Sequence, residues 1–415
     1  MYVKRILATN FRNYARLELD LPARIHVFQG ENAQGKTNLL EMVYYLATTR
    51  SPLSSSDRQL MHWAADAEPI PHADLQVVYN RDGEDHTLDV TMVKEARPGD
   101  PPEAARFRKR FRLDGRARRA MDIVGRLNTV LFLPRDIALV SGAPSERRRY
   151  LDICLCQLDP FYCQTLSRYN RLITQRNALL RQLRDRAAHP HELGYWDDQL
   201  SQYGAYVLWR RLWAAQQLEP EAQAIQAHMT DGGETLSLAY QDTVGARLVA
   251  GERLNVAGVD AEAQEEQIAA LRTRYAQALQ AARADERARG VTLIGPHRDD
   301  VRFGLNRVDA TVYGSRGQQR SVALALKLAE VRLMRRHTGE SPVLLLDDVI
   351  SELDHSRCQL LLQSVSEAEQ VLITTTDLQA YGARFRQDAV LWRVDAGAVE
   401  RLDPSTAYSA SAPSL

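Results

Sequence analysis

The sequence predicts an α/β fold of the phosphate-loop type, with mixed sheets and an inserted, mainly helical lobe or arm. Three stretches carry that prediction. Gly30-Glu31-Asn32-Ala33-Gln34-Gly35-Lys36-Thr37 fits the pattern GxxxxGK[ST] without mismatch, and Val343-Leu344-Leu345-Leu346-Asp347-Asp348 is an aliphatic run ending in two carboxylates. Between them, apolar residues recur at helical spacing through most of 145–289.

The glycine-rich loop has the flanks its chemistry needs. Ile25-His26-Val27-Phe28 before it reads as a buried strand, and Asn38 to Leu46 after it reads as a helix. In that setting backbone N–H groups turn inward around a polyphosphate, Lys36 reaches the β- and γ-phosphates, and the Thr37 hydroxyl ligates Mg²⁺. Gly30, Glu31, Asn32, Ala33, Gln34, Gly35, Lys36, Thr37 and Asn38 are therefore the candidate ATP-binding residues. The aliphatic strand supplies the other half of such a site. At its end Asp347 holds Mg²⁺ and Asp348 orients or deprotonates the attacking water.

Composition narrows the class. The 415 residues are enough for two or three lobes. With 53 basic and 53 acidic residues, any contact with nucleic acid must come from local patches. Cys154, Cys156, Cys163 and Cys358 lack paired CxxC spacing and read as reduced thiols. The N-terminus has no charged-then-apolar signal pattern, and no apolar run approaches the ~18 residues of a membrane span. The expectation is a cytoplasmic protein without a membrane partner.

Along the chain, Val3, Ile6 and Leu7, then Leu17, Leu19 and Leu21, suggest a strand pair around the turn Asn10-Phe11-Arg12-Asn13-Tyr14. Arg12 and Asn13 are candidates for touching the nucleotide, or ordinary turn residues. Strands follow at Ala73–Tyr79 and Thr87–Val93, joined through Asp82-Gly83, then a breaker at Arg97–Pro102. Arg106 to Leu113 reads as a strand closed by Asp114-Gly115. Its period of two puts Arg106, Arg108, Arg110 and Arg112 on one face and Phe107, Phe111 and Leu113 on the other. A row with almost no acidic relief calls for a polyanion, and the scarcity of neighbouring aromatics favours DNA backbone over base contact. The alternative is a solvated sheet face.

Val130-Leu131-Phe132-Leu133-Pro134 reads as a strand ending the first lobe. One helix stripe follows Leu166, Tyr169, Ile173, Leu179, Leu180 and Leu183; a second follows Leu200, Tyr203, Val207, Leu212 and Trp213; a third runs from Glu262 to Arg287. Thr235 to Val259 holds a strand pair without an obvious place. The divisions expected are 1–145 and 291–402 for the ATPase parts, 146–290 for the helical lobe or arm, and a disordered tail at 403–415. Tyr313-Gly314-Ser315-Arg316-Gly317-Gln318-Gln319-Arg320 precedes a helix expected from Ser321 to about Arg336. Ser315, Gly317 and Gln318 supply a hydroxyl and donors suited to a γ-phosphate, or simply cap the helix.

This order of motifs resembles the ABC-type ATPases. With Asn10–Tyr14, Gly295-Pro296-His297-Arg298-Asp299-Asp300, and Leu346-Asp347-Asp348 followed by Ser351–Asp354, the chain resembles the RecF family of bacterial recombination mediators from residue 3 to about 380. The resemblance implies an ABC/SMC-head-like ATPase that takes ATP and Mg²⁺ and forms a homodimer on ATP. It further implies binding of single-stranded or gapped DNA, or a single-strand/double-strand junction. RecO and RecR would be its partners in loading RecA during repair, replication and SOS induction. It also implies that Ser315 serves the ATP of the other subunit, that Ser351–Asp354 crosses that interface, and that catalysis by Lys36, Asp348 and Ser315 is a weak, DNA-stimulated hydrolysis. Thr374-Thr375-Thr376 occupies the place of a transporter's switch histidine, which suggests a hydroxyl sensor of γ-phosphate. Arg316 and Arg135 depart from the family pattern, where Gln and an acid are usual. The alternatives are an ATP-binding scaffold of the SMC type and a transport-type ATPase. The long separation of Lys36 from Ser315 disfavours the second.

Overall fold

The computed structural model describes residues 1–22, 24–54, 56–95, 106–185, 190–245, 258, 260–379 and 381–402. The breaker at Arg97–Pro102, most of 246–259 and the tail at 403–415 lie outside them. The chain forms two compact units, Met1–Arg135 with Met334–Leu415, and Asp136–Leu333.

The first unit begins with β1 (Tyr2–Phe11), β2 (Tyr14–Asp20) and β3 (Ile25–Gln29), followed by α1 (Lys36–Thr48). Next come β4 (His72–Arg81), β5 (Glu84–Glu95), β6 (Arg106–Leu113), β7 (Arg116–Arg118), α2 (Ala120–Ile123) and β8 (Thr129–Phe132). An antiparallel sheet runs β2-β1-β4-β5-β6-β7. Two of its hairpin turns, Asp82-Gly83 and Asp114-Gly115, have positive φ at both central residues, matching the right-handed twist of the strands they join. In β4 alternate residues Ala73, Leu75, Val77 and Tyr79 are buried, so one face of this sheet looks into a core.

In the second unit, α3 (Ala138–Ser141), α4 (Pro144–Leu158), α5 (Pro160–Arg184) and α6 (Leu193–Met229) lead to β9 (Leu236–Gln241) and α7 (Ala261–Arg289). Then come β10 (Asp300–Leu305), β11 (Val308–Asp309), α8 (Ala310–Tyr313) and α9 (Arg316–Thr338). A small antiparallel sheet is ordered β11-β10-β9. Of the strand pair expected within 235–259, one strand is β9, which pairs with β10; most of the remainder lies outside the described residues. The expected division at residue 290 does not coincide with the compact units: residues 291–333, Ser315 among them, group with the helices.

Two details of these helices differ from expectation for identifiable reasons. The buried stripe of α5 passes through Tyr162, Thr165, Tyr169, Leu172, Arg176 and Leu179, with Arg176 fully buried. Arg176 is tolerated there because Asp197 and Glu286 each stand 2.7 Å from its guanidinium, Nε donates to Asp197 and Nη1 to the Thr292 hydroxyl, so the buried charge is paired. The helix α9 starts at Arg316 rather than Ser321, because Ser315 and Gln318 cap it.

The chain then returns to the first unit as β12 (Val343–Asp347), α10 (His355–Glu367), β13 (Val371–Thr375), α11 (Ala383–Asp388), β14 (Val390–Asp395) and β15 (Ala398–Arg401). These join a second sheet in the order β15-β14-β3-β13-β12-β8, parallel except for β15. Every residue of β12 and β13 is buried, as expected of parallel strands covered on both faces. α1 packs on β12, β13 and β8 of this sheet and on β4 and β5 of the other. That double packing explains why α1 is apolar nearly all round, with Leu39, Leu40, Met42, Val43, Tyr45 and Leu46 buried.

Candidate nucleotide site and nucleic-acid interface

The phosphate loop leaves β3 and enters α1, the connection its sequence predicts. Gly35 has φ +114°, a conformation open to glycine, and an added Cβ would lie 2.5 Å from the Asn13 amide nitrogen. Asn13 spends its carboxamide on the loop: Nδ2 donates to the Gln34 carbonyl and Oδ1 accepts from Asn38 Nδ2, each at 2.8 Å. The Tyr14 hydroxyl donates to the Gly35 carbonyl at 3.0 Å. From the other side, Ala396 N–H donates to Gln34 Oε1 at 2.7 Å, and Gly397 N–H to the Gln34 carbonyl at 3.1 Å. The loop is therefore shaped by the β1–β2 and β14–β15 turns.

Lys36 folds back on this loop, its Nζ donating to the Gly30 and Glu31 carbonyls at 2.6 and 2.7 Å. Burial lowers its pKa, opposed by the nearby charges of Asp348 and Asp347. Thr37 Oγ1 lies 2.8 and 2.9 Å from the two oxygens of Asp347. Asp347 in turn accepts from Thr374 Oγ1 at 2.7 Å. Burial raises the Asp347 pKa, the Thr374 and Thr37 hydroxyls pull it down, and Asp348 pushes it up again. Asp348 sits at φ +47°, its N–H donating to Thr374, while its Oδ1 is buried without a hydrogen-bond partner among the described residues. A cleft is lined by Asn32, Ala33, Gly35 to Asn38, Pro134, Asp347 and Asp348.

These groups fit a metal-bound triphosphate. The hydroxyl and carboxylate oxygens of Thr37 and Asp347 are hard donors that suit Mg²⁺, which commonly takes one or two protein oxygens and completes its shell with phosphate and water. Asp348 lines the same cleft, and its unpartnered Oδ1 leaves a buried acceptor that a polar ligand or its bound water would satisfy.

Other expected residues are held differently. Arg12 does not line the cleft: Nε and Nη2 donate to the two Glu41 oxygens at 2.7 Å, and Nη1 to the Gln59 carbonyl at 2.8 Å. Glu41 is buried on α1, and this pairing is what permits it there. A hydroxyl sensor at 374–376 is likewise constrained, since Thr374 serves Asp347 and the Thr375 hydroxyl donates to the Asp377 carbonyl. Arg135, one of the departures, donates to the Pro52 carbonyl.

In the second unit, Ser315 and Gln318 form a reciprocal cap. Ser315 N–H donates to Gln318 Oε1 at 2.9 Å, and Gln318 N–H to Ser315 Oγ at 3.2 Å. Ser315, Arg316 and Gly317 are exposed.

On β6, Arg106, Arg108, Arg110 and Arg112 are exposed and Phe111 is buried, as the period of two predicts. The expected lack of acidic relief needs correction. Across the ladder Glu95 stands opposite Arg106 and Asp89 opposite Arg112, and Glu95 lies 3.7 Å from Arg108. Arg110 faces Thr91. Of the four, Arg110 keeps the character the sequence suggested.

Comparison with known proteins decides the family. A family model described as the RecF/RecN/SMC N-terminal domain matches residues 2–390. The DNA replication and repair protein RecF of Chloroflexus aurantiacus is 44% identical over 96% of this chain and 99% of its own. The chain belongs to the RecF family.

The RecF of Herpetosiphon aurantiacus is 42% identical over 96% of this chain and 99% of its own. A solved structure of the recombination mediator protein RecF-ATP in the RecFOR pathway superposes with TM-score 0.81 at 28% identity, covering 97% of this chain and 98% of that one. An Smc head domain from Pyrococcus furiosus shares the fold, with TM-score 0.51 at 13% identity over 98% and 97% of the two chains. The fold class is therefore that of an ABC-type, SMC-like head, and ATP is bound in a RecF relative of nearly the same length.

The Gly295–Asp300 run that helped mark RecF resemblance has a packing role in the second unit. Asp299 accepts from Tyr240 and from Thr243, and Arg147 bonds Asp300 at 2.7 Å. An added Cβ on Gly295 would lie 1.8 Å from the Tyr275 hydroxyl oxygen. His297 meets the Tyr169 hydroxyl at 2.8 Å, and burial lowers its pKa to about 4. Sequence reasoning missed Thr374 as the support of Asp347, Glu41 as the partner of Arg12, and Gln34 as the loop's second anchor. The buried Glu41 in an otherwise apolar helix was the one signal that could have found its pair.

Among the described residues no helix is long and apolar enough to cross a membrane.

Proposed function

We propose that this RecF-family chain is an ATP-gated DNA-binding recombination mediator whose two copies close on ATP. The observation that carries the reading is the Thr37–Asp347 contact beside the orphaned Asp348 oxygen, which joins both halves of a nucleotide site in one cleft. Mg²⁺ held there by Thr37 and Asp347 would supply charge neutralisation to the phosphates. Lys36 turns from the Gly30 and Glu31 carbonyls toward the phosphates, Thr37 and Asp347 hold the cation, and Asp348 orients the water. Ser315 at the start of α9 contacts the γ-phosphate held by the partner copy. ATP then stabilises the dimer by mass action, and hydrolysis releases it. Asp348 is one methylene shorter than Glu, which favours slow, DNA-stimulated turnover: a timer.

Single-stranded, gapped or junction DNA is gripped by the arginines of β6, chiefly through phosphates. RecR and RecO are the proposed partners, with RecA loaded as the result, and the cytoplasm is the proposed location. The RecFOR pathway named for the ATP-bound relative supports this assignment.

Solution mass measured with and without Mg-ATP, then with DNA, tests the scheme. Lys36→Met should remain monomeric, whereas Asp348→Asn should accumulate as an ATP-bound dimer. A monomeric Asp348→Asn protein at saturating Mg-ATP rejects the gating scheme.

A further inference from the structure

The cap at the start of α9 is joined to a carboxylate that the nucleotide motifs do not include. Glu234 lies between the end of α6 and the start of β9, and its two oxygens are divided between two carboxamides. Oε2 accepts from Gln226 Nε2 at 2.6 Å, and Oε1 accepts from Gln318 Nε2 at 2.8 Å. Gln226 is completely buried on α6. The Glu234 N–H donates to Thr230 Oγ1 at 3.2 Å, and Thr230 itself closes α6 through its bond to the Gln226 carbonyl. The chain reverses at Asp231-Gly232, both at positive φ, with Gly232 N–H returning to the Ala227 carbonyl. Glu234 is thus fixed at the end of a long helix while it reaches to Gln318.

The chemistry of the three groups gives this link a direction. An ionised carboxylate only accepts, whereas a carboxamide presents a donor at one end and an acceptor at the other. Facing Glu234, Gln318 must turn its NH₂ toward the carboxylate, which leaves Oε1 toward the Ser315 N–H. With the opposite orientation two donors would face each other at the cap and two acceptors at Glu234. The carboxylate therefore selects the one amide orientation that can cap Ser315.

We propose that Glu234 is a positioning residue for the Ser315 end of α9, acting through Gln318 to hold Ser315 in the arrangement that meets a γ-phosphate. The proposal rests on the proposed function, in which Ser315 contacts the nucleotide of a second copy. Glu234 is not among the residues that line the phosphate-loop cleft, all of which belong to the other compact unit. It acts on the half of the site that each copy lends to its partner.

Glu234→Gln preserves size but can donate to Gln318 Oε1, so it permits the wrong orientation. Hydrogen exchange of the Ser315 amide in the nucleotide-free protein reads the positioning directly, and should quicken by about fivefold to tenfold, the scale of one missing hydrogen bond. In the same variant, ATP binding to the monomer should stay within about twofold of wild type, while the ATP-induced dimer should weaken by about tenfold or more, since two caps are affected. Mixing Glu234→Gln with Lys36→Met should recover a dimer with one sound composite site. Gln318→Met removes the link from its other end and should give the same split, with little added loss when the two changes are combined. Unchanged Ser315 exchange in both variants overturns the positioning role. If exchange quickens and the wild-type protein dimerises on ATP, but both variants dimerise as well as wild type, the functional part is overturned. A wild-type protein that does not dimerise on ATP rejects the gating reading instead, while Ser315 exchange still decides the positioning.

Discussion

Thr37 Oγ1 lies 2.8 Å from Asp347 Oδ1, although 310 residues separate them in the chain. β12 brings the acid beside α1, and Thr374 on the neighbouring strand β13 fixes it from the far side. The two motifs therefore meet in one cleft. The electrostatics of that assembly lead to measurable consequences.

Asp347→Asn should separate stability from function. Burial raises the pKa of this carboxyl, so its ionised form burdens the nucleotide-free fold at neutral pH. The neutral amide should raise the melting temperature of the nucleotide-free protein by about 2–4 °C, the size expected for ~1 kcal/mol in a unit this large. Magnesium-dependent ATP binding should be lost at the same time. Thermal melts with and without Mg-ATP check both halves.

Acidification should weaken Mg-ATP binding before ordinary carboxylates titrate. Asp347 has a raised folded pKa, so its contribution to folding is present below the unfolded value and is lost as pH rises through the folded one. The cation needs the ionised form, and the opposite trend follows for the ligand. Affinity should fall by roughly tenfold per pH unit once the pH is below the folded pKa. Calorimetric titration from neutral to acidic pH would show this dependence, and Asp347→Asn should abolish it.

Arg12→Ala should act first on the fold. Its removal leaves the Glu41 carboxylate buried on α1 with Ser51 as a remaining partner. A loss of about 3–5 kcal/mol is the scale for stranding one member of a buried pair. Arg12→Lys should recover only part, because an ammonium cannot engage both oxygens in the same planar fork. Denaturant unfolding measures the loss. Weaker ATP binding with unchanged stability would show Arg12 to be a nucleotide ligand after all.

The β6 row makes a graded prediction. Arg110, opposite Thr91, should contribute more to DNA affinity than Arg106 or Arg112, which stand opposite Glu95 and Asp89. Removing an arginine that neutralises one phosphate should reduce the slope of log affinity against log salt by about 0.7–0.9. Single alanine substitutions titrated with single-stranded and gapped DNA at several salt concentrations test the ranking. Equal slopes for all four variants and the wild type would return the row to an ordinary solvated face.

Much of the first unit was legible in the sequence because its signals are local. The phosphate loop, the Asp-Gly hairpin turns and the alternation of β6 each depend on a few adjacent residues. What escaped depends on pairings across long separations. Arg176 was absent from the expected stripe, and its burial depends on Asp197 and Glu286 from two other helices. Thr374 looked like one hydroxyl of three, and only the pairing of β12 with β13 gives it to Asp347. For Arg12, proximity to the loop in sequence suggested a ligand. Its pairing with the buried acid on the next helix was not foreseen.

Asn13 grips the phosphate loop from the turn between β1 and β2, and β6 hangs from that same ladder through β4 and β5. The cradle for a triphosphate and the guanidiniums of the sheet are consequently mounted on one chassis.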